Sequence, residues 1–220
     1  MKEYIKIETL FQRDLEVTKK LMEGVYRNET VRFLKDNCWE WTEKVDGTNI
    51  RVFWDGHKVS FGGRTDNAQI PAVLINKLNE YFGGDANEEL FEQTFGERQV
   101  MICGEGYGAK INGGGTYMED GKSVDFIMFD LMIGDNYQSR ESVEKCAATF
   151  GVKTVPIVGR GDLESAVDFV RNHPMSQVGP GTHEMEGIVC RPMVEMNDRC
   201  HNRIIVKIKW NDIKDLVKGE

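Results

Sequence analysis

From Trp39 to Phe61 the chain consists of extended runs separated by Asp-Gly pairs. Trp39–Val45 and Asn49–Trp54 are rich in aromatic and β-branched residues, and Asp46-Gly47 lies between them. Asp55-Gly56 then reverses the chain into Lys58–Phe61. Asp-Gly between such runs favours a tight hairpin turn, because glycine takes positive φ without steric penalty. Antiparallel pairing around Asp55 is therefore the first constraint on the fold.

Local signals give the remaining elements. A helix is predicted over Leu15–Val25. Pro71 opens another that reaches Tyr81, with Val73, Leu74, Leu78 and Phe82 at helical spacing, and Gly83-Gly84 ends it. A short helix over Asn87–Phe95 follows, then a strand over Arg98–Glu105 and a glycine-rich loop over Gly106–Met118. Val124–Ile133 is apolar at nearly every position, as expected of a strand covered on both faces. Ser139 and Asp162 read as N-caps of helices ending near Phe150 and His173. Thr154–Val158, Glu186–Arg191 and Arg203–Lys209 read as strands, and a final helix follows. Strand-helix-strand units are few. The expected class is α+β: largely antiparallel sheets flanked by helices, with a central cleft.

A chain of 220 residues can form one substantial domain, or two small lobes sharing a core. No apolar run approaches the roughly 18 residues of a membrane span, so no membrane partner is expected. Five scattered cysteines and an N-terminus without an apolar stretch point to a reducing, cytoplasmic setting. The net charge of −8 is wrong for a general nucleic-acid coat, but it is compatible with an enzyme whose positive charge is local.

Lys44, two residues before the Asp46-Gly47 pair, is the candidate nucleophile. A free lysine, with a pKa of about 10.4, is neutral in about one molecule in a few thousand at pH 7. Attack on phosphorus needs the neutral amine, and burial or nearby cations favour that form. Arg64, Lys207 and Lys209 are the candidate sources of positive field. In a strand over Arg203–Lys209, Lys207 and Lys209 share a face, about 6.6 Å apart at Cα. Two ammonium groups at that spacing can hold adjacent phosphates of a nucleoside triphosphate. The plainer explanation is an edge strand whose lysines block aggregation.

Glu105 and Glu186 each sit at a strand end beside glycine, in Gly104-Glu105-Gly106 and Glu186-Gly187. There a carboxylate can reach a ribose hydroxyl or a hydrated Mg²⁺, because glycine admits a close ligand. Phe126 and Phe129 alternate to opposite faces of their strand, so one can fill the core while the other stacks on a purine. The pattern alone favours both in the core.

Taken in order, Lys44-x-Asp46-Gly47, Arg64-Thr65, Gly104-Glu105-Gly106, Phe126-x-x-Phe129-Asp130, Glu186-Gly187-Ile188-Val189 and Lys207-x-Lys209 resemble the covalent nucleotidyltransferase superfamily of DNA ligases, RNA ligases and mRNA capping enzymes. Glu43-Lys44-x-x-Gly47-Thr48-Asn49 and Val155–Gly161 are similar to the phage-type RNA ligase 2 branch. The likeness covers about residues 40–210. Each motif is weak alone; six in sequence are specific.

The resemblance implies a nucleotidyltransferase (ATP-grasp-like) domain over residues 1–220 and an ATP-dependent RNA ligase acting in RNA repair or end joining. Lys44 would take AMP from ATP as a lysyl-AMP, adenylylate an RNA 5′-phosphate, and let a 3′-hydroxyl displace AMP. Arg64 would lie near ribose and phosphates, Glu105 on the nucleoside, and Phe129 on the base. Glu186 would hold the metal, Mg²⁺ or Mn²⁺, and Lys207 and Lys209 the phosphates. Asn49 would serve the sealing step. Glu43 falls on a motif position and joins the expected nucleotide-binding set. RNA ends are the expected partner; only eleven residues follow Lys209, too few for the family's further C-terminal domain, which leaves open a shortened chain, a minimal enzyme, or one that works with a separate end-healing or RNA-binding protein. Asp46 stands where the branch often carries histidine, which keeps a DNA ligase or a GTP-dependent capping-type transferase as an alternative. A non-catalytic nucleotide-binding relative is the third reading.

Overall fold

The computed structural model describes residues 3–112 and 114–218. In chain order the first elements are β1 (Glu8–Thr9), β2 (Phe11–Arg13), β3 (Leu21–Tyr26), α1 (Glu29–Phe33), β4 (Trp39–Glu43), β5 (Thr48–Trp54) and β6 (Val59–Gly63). Next come α2 (Ala72–Phe82), α3 (Asp85–Phe95), β7 (Val100–Gly108), β8 (Val124–Ile133), β9 (Asn136–Tyr137) and α4 (Arg140–Thr149). The last are β10 (Lys153–Thr154), β11 (Ile157–Gly161), α5 (Leu163–Arg171), β12 (Gly187–Pro192), β13 (Val206–Lys209), α6 (Trp210–Ile213) and β14 (Val217–Lys218). The class is α+β with mainly antiparallel sheets, as expected. Among the described residues no helix is long and apolar enough to cross a membrane.

The chain forms two compact units. Unit 1 comprises the residues up to Ile5 together with Asp46–Val155, and unit 2 comprises Lys6–Val45 with the residues from Pro156 onward.

Unit 1 is built on a six-stranded sheet in the order β10-β8-β7-β5-β6, with β9 also paired to β8. The Asp55-Gly56 hairpin is present as β5 and β6, in register from Ile50↔Gly63 to Trp54↔Val59. Ile50, Val52 and Trp54 of β5 and Val100 and Ile102 of β7 turn to one face, against Leu74, Leu78 and Phe82 of α2 and Val143 of α4. Aromatic rings fill this core; Phe91 and Phe150 lie 4.3 Å apart between centroids.

One irregularity sets the outer face of the sheet. Cys103 pairs with Asp130 but Gly104 with Met128, so Phe129 is an extra residue on β8. A bulge of this kind reverses side-chain parity along a strand. Phe126 and Met128 enter the core before it and Leu131 after it, while Asp130 leaves that face. Asp130 is buried on the other side, where it accepts a hydrogen bond from the Tyr4 hydroxyl at 2.5 Å.

Unit 2 holds a five-stranded sheet in the order β1-β13-β12-β4-β11 and a three-stranded sheet β14-β3-β2. Leu163, Val167 and Val170 of α5 pack on Trp39, Trp41, Ile188, Cys190, Val206 and Ile208. Asp162 caps α5 by accepting from Ser165 N–H at 2.7 Å, as expected.

Three expectations are corrected. The first run of the Trp39–Phe61 segment does not pair with the second; β4 lies between β11 and β12, more than a hundred residues away in sequence. The helix over Leu15–Val25 is absent. Asp14 instead accepts from the backbone N–H groups of Glu16, Val17 and Thr18, which closes a turn and delivers Leu21–Tyr26 as a strand beside β2. The strand expected over Thr154–Val158 is two strands, β10 in unit 1 and β11 in unit 2. The split falls at Pro156, which lacks the donor a continuous ladder needs.

Candidate active site

Sheet register brings four of the expected residues together in unit 2. On β4, β12 and β13 the side chains of Trp39, Trp41, Ile188, Cys190, Val206 and Ile208 point into the core, so the residues between them face the other way. Thr42, Val189 and Lys207 therefore form one rung. Gly187 pairs with Lys209 and accepts from Lys44 N–H at 2.9 Å, so Lys44, Gly187 and Lys209 form the next. Neighbouring strands are about 4.8 Å apart, which sets Lys44 and Lys209 on either side of a glycine. That glycine is dictated by close approach: a Cβ on Gly187 would lie 2.1 Å from the Ile208 carbonyl oxygen.

Glu186 precedes this rung and reaches across it. Its Oε2 is 2.5 Å from Lys44 Nζ and its Oε1 is 3.7 Å from Lys209 Nζ. Its carbonyl accepts from Trp210 N–H at 3.0 Å, which anchors the turn from β13 into α6. Asp212 lies 4.0 Å from Lys209 Nζ and also pairs with Arg13 at 2.9 Å. Lys207 is half-buried beside Lys44 and Lys209. Burial, and then the charges of those two lysines, lower its pKa. Lys44 and Lys209 share Glu186 and Lys207 lies beside both, with Asp212 and Glu8 as the further acidic neighbours; three amines gathered in this way suit phosphate oxygens.

Glu43, expected among the nucleotide-binding residues, is turned inward instead. It shares the face of Trp39 and Trp41 and is 1% exposed. One carboxylate oxygen accepts from Ser176 Oγ at 2.5 Å and the other from Gln177 N–H at 2.8 Å. Burial raises its pKa, against the lowering effect of these two hydrogen bonds. The side chain holds the segment after α5 rather than a ligand. Period-two alternation from Trp39 carries this information in the sequence; Ser176 and Gln177 carry no local signal.

In unit 1, Asn49, Glu105 and Ile127 face each other across β5, β7 and β8, on the side away from the aromatic core. Asn49 Oδ1 is buried and has no hydrogen-bond partner among the described residues. Phe129, displaced by the bulge, lies 5.3 Å from the Tyr4 ring between centroids. The glycines flanking Glu105 were expected to admit a ligand, but they make room for protein. A Cβ on Gly104 would meet the Phe126 ring at 2.2 Å, and one on Gly106 would meet Leu74 at 2.3 Å. The turn after Lys44 is also held within unit 1: Asp46 N–H donates to Tyr117 Oη at 3.0 Å, and Asn112 Nδ2 donates to Gly47 O. Arg64 is exposed on the loop after β6. That loop is tied down by Arg51, which sequence reasoning did not single out.

The family model described as RNA ligase matches residues 37–209. No curated protein matches significantly. Among solved structures, an RNA ligase variant from Naegleria gruberi with ATP and manganese is 20% identical, with a TM-score of 0.62, over 94% of this chain and 59% of that one. A variant with AMP and manganese is 20% identical at a TM-score of 0.61, over 94% and 60%. The same ligase with pyrophosphate is 21% identical at 0.61, over 94% and 59%. Likeness at this identity shows a shared fold. The chain spans about three fifths of the length of these solved relatives.

Proposed function

The chain belongs to the RNA ligase family, and on that premise we propose that it is an ATP-dependent RNA ligase working through a lysyl-AMP on Lys44. The observation that carries the proposal is Lys44 and Lys209 sharing Glu186, with Lys207 half-buried beside both lysines on the adjoining strand. A solvated lysine beside a turn has no need of two further amines and a shared carboxylate. The solved relatives were studied with ATP, the substrate of such a step, with pyrophosphate, its leaving group, and with AMP, the moiety transferred. The motif Glu43-Lys44-x-x-Gly47-Thr48-Asn49 supports assignment to the phage-type RNA ligase 2 branch.

Lys44 Nζ attacks the α-phosphorus of ATP. A nitrogen–phosphorus bond forms, the bond to pyrophosphate breaks, and the amine gives up its proton. Glu186 Oε2, at 2.5 Å, is the acceptor at hand. Lys207 and Lys209 offset charge on the phosphate oxygens as the pentavalent state develops. AMP then passes to an RNA 5′-phosphate, and a 3′-hydroxyl displaces it to seal the strand. In unit 1 the same reading gives Arg64 to the phosphates and ribose, Glu105 to the nucleoside, Phe129 to the base and Asn49 to sealing.

The residues fit a divalent cation delivered with the nucleotide. Among the described residues there is no group of three or more metal-ligating side chains. Mg²⁺ and Mn²⁺ accept one or two carboxylates and complete their shell with phosphate and water, so Glu186 suffices. When bound, the metal neutralises phosphate charge.

The test is incubation with α-labelled ATP and Mg²⁺ or Mn²⁺ at pH 6 to 9, followed by denaturing electrophoresis. A covalent label lost in Lys44→Ala and chased by 5′-phosphorylated RNA is expected. No label at any pH would overturn the proposal. A label from GTP alone, or transfer to nicked DNA alone, would move it to the capping or DNA ligase branch.

A further inference from the structure

Arg51 lies mid-strand in β5 and is 0% exposed, on the face opposite Ile50 and Val52. A guanidinium buried this deeply is costly and persists where its donors are satisfied. Nε donates to Gly63 O at 2.5 Å and Nη2 to Asp66 Oδ1 at 2.9 Å. These two acceptors bracket Arg64, one residue before it and two after. The loop between them is also closed by Ala68 N–H donating to Thr65 O at 3.2 Å. It is packed tightly at its base, since a Cβ on Gly63 would meet the Ala68 methyl at 2.6 Å. Arg64 itself points outward with no carboxylate partner among the described residues.

The contrast between the two arginines is informative. One is sealed inside and fixed at both ends; the other stands free on the segment that the first one fixes. A side chain whose backbone is already ordered loses less freedom when an anion binds it.

We propose that Arg51 and Asp66 are positioning residues for Arg64, holding the Gly63–Asp66 segment so that the Arg64 guanidinium is presented to the nucleotide without further ordering of its backbone. The proposal rests on the reading of Arg64 as a nucleotide-binding residue given above.

Asp66 is the residue to change, because it is itself 58% exposed; its loss takes one acceptor from the buried Arg51, so urea unfolding is measured beside each binding experiment, which is run where the variant is fully folded. Binding of ATP is measured calorimetrically in a Lys44→Ala background, where no adduct forms. Amide hydrogen exchange at residues 63–68 is followed alongside. Asp66→Ala is expected to speed exchange across that segment, to leave α2 and α4 as protected as before, and to weaken ATP binding about tenfold. Added to Arg64→Ala, it is expected to cost nothing further. Arg51→Met, if it folds, should behave as Asp66→Ala does. Unchanged ATP affinity in Asp66→Ala, or an equal further loss in the Arg64→Ala background, would overturn the positioning role alone. Unchanged affinity in Arg64→Ala would remove the reading of Arg64, and the positioning role with it.

Discussion

Lys44 Nζ and Glu186 Oε2 are joined as an ion pair of 2.5 Å, so the proposed nucleophile rests on the carboxylate expected to take its proton. The pair sits at the mouth of a rung whose centre is a glycine. An incoming phosphate group has to open the pair before reaction.

Glu186→Gln keeps an acceptor for Lys44 but removes the negative charge. Both groups remain partly exposed, so the stability cost should be about 1 kcal/mol or less. The rate of lysyl-AMP formation should fall by about 100-fold or more, since both proton acceptance and metal contact are lost. Single-turnover labelling set beside urea unfolding checks both statements. A large stability loss with an unchanged rate would contradict them.

Lys207 has its pKa lowered from 10.5 by burial and by Lys44 and Lys209. Between that lowered value and 10.5 the unfolded chain binds more protons than the folded one. Stability should therefore rise with pH through this window, and Lys207→Met should remove the rise. A polyphosphate placed beside Lys207 favours its charged form, so pyrophosphate binding at alkaline pH should take up protons. Calorimetry in buffers of different ionisation enthalpy reads the uptake directly.

Glu43 shows the opposite sign. Its pKa is raised above 4.5 by burial, so the folded state binds more protons between 4.5 and the raised value. The contribution to stability is complete below 4.5 and is lost as pH rises through the raised value. Glu43→Gln should flatten that part of the stability profile. Ser176→Ala, which strips one hydrogen bond from a buried carboxylate, should cost about 2 kcal/mol by denaturant unfolding.

Gly187→Ala places a methyl group 2.1 Å from the Ile208 carbonyl oxygen. The clash is with backbone, so β12 and β13 have to separate. A loss of about 1–3 kcal/mol is expected. Lysyl-AMP formation should fall further than that loss explains, because Lys209 moves with its strand. Activity measured at a temperature where the variant is fully folded separates the two effects.

Much of this arrangement was legible in the sequence. The Asp55-Gly56 hairpin, the helix opened by Pro71 and the caps at Ser139 and Asp162 are short-range devices, and they appear where turn and cap chemistry put them. The inward turn of Glu43 was present in the alternation from Trp39 and was overlooked beside the motif. The partners of β4 were not legible, because pairing with residues 157–161 and 187–192 leaves no local trace. The false helix over Leu15–Val25 failed to the backbone hydrogen bonds of one aspartate, Asp14. Arg51 escaped notice because burial of a charged side chain is a tertiary fact.

The extra residue at Phe129 acts as a phase shift in β8. Upstream of it the even-numbered positions are inside, and downstream the odd-numbered ones are. Substitutions on either side can be tolerated separately, each judged against its own half of the ladder. A one-residue deletion there is different in kind. It would restore plain alternation, with Met128 and Leu131 still inside and Asp130 still outside, and would remove only the Phe129 ring beside Tyr4, so at this one position the strand should tolerate a loss of length that it would not tolerate elsewhere.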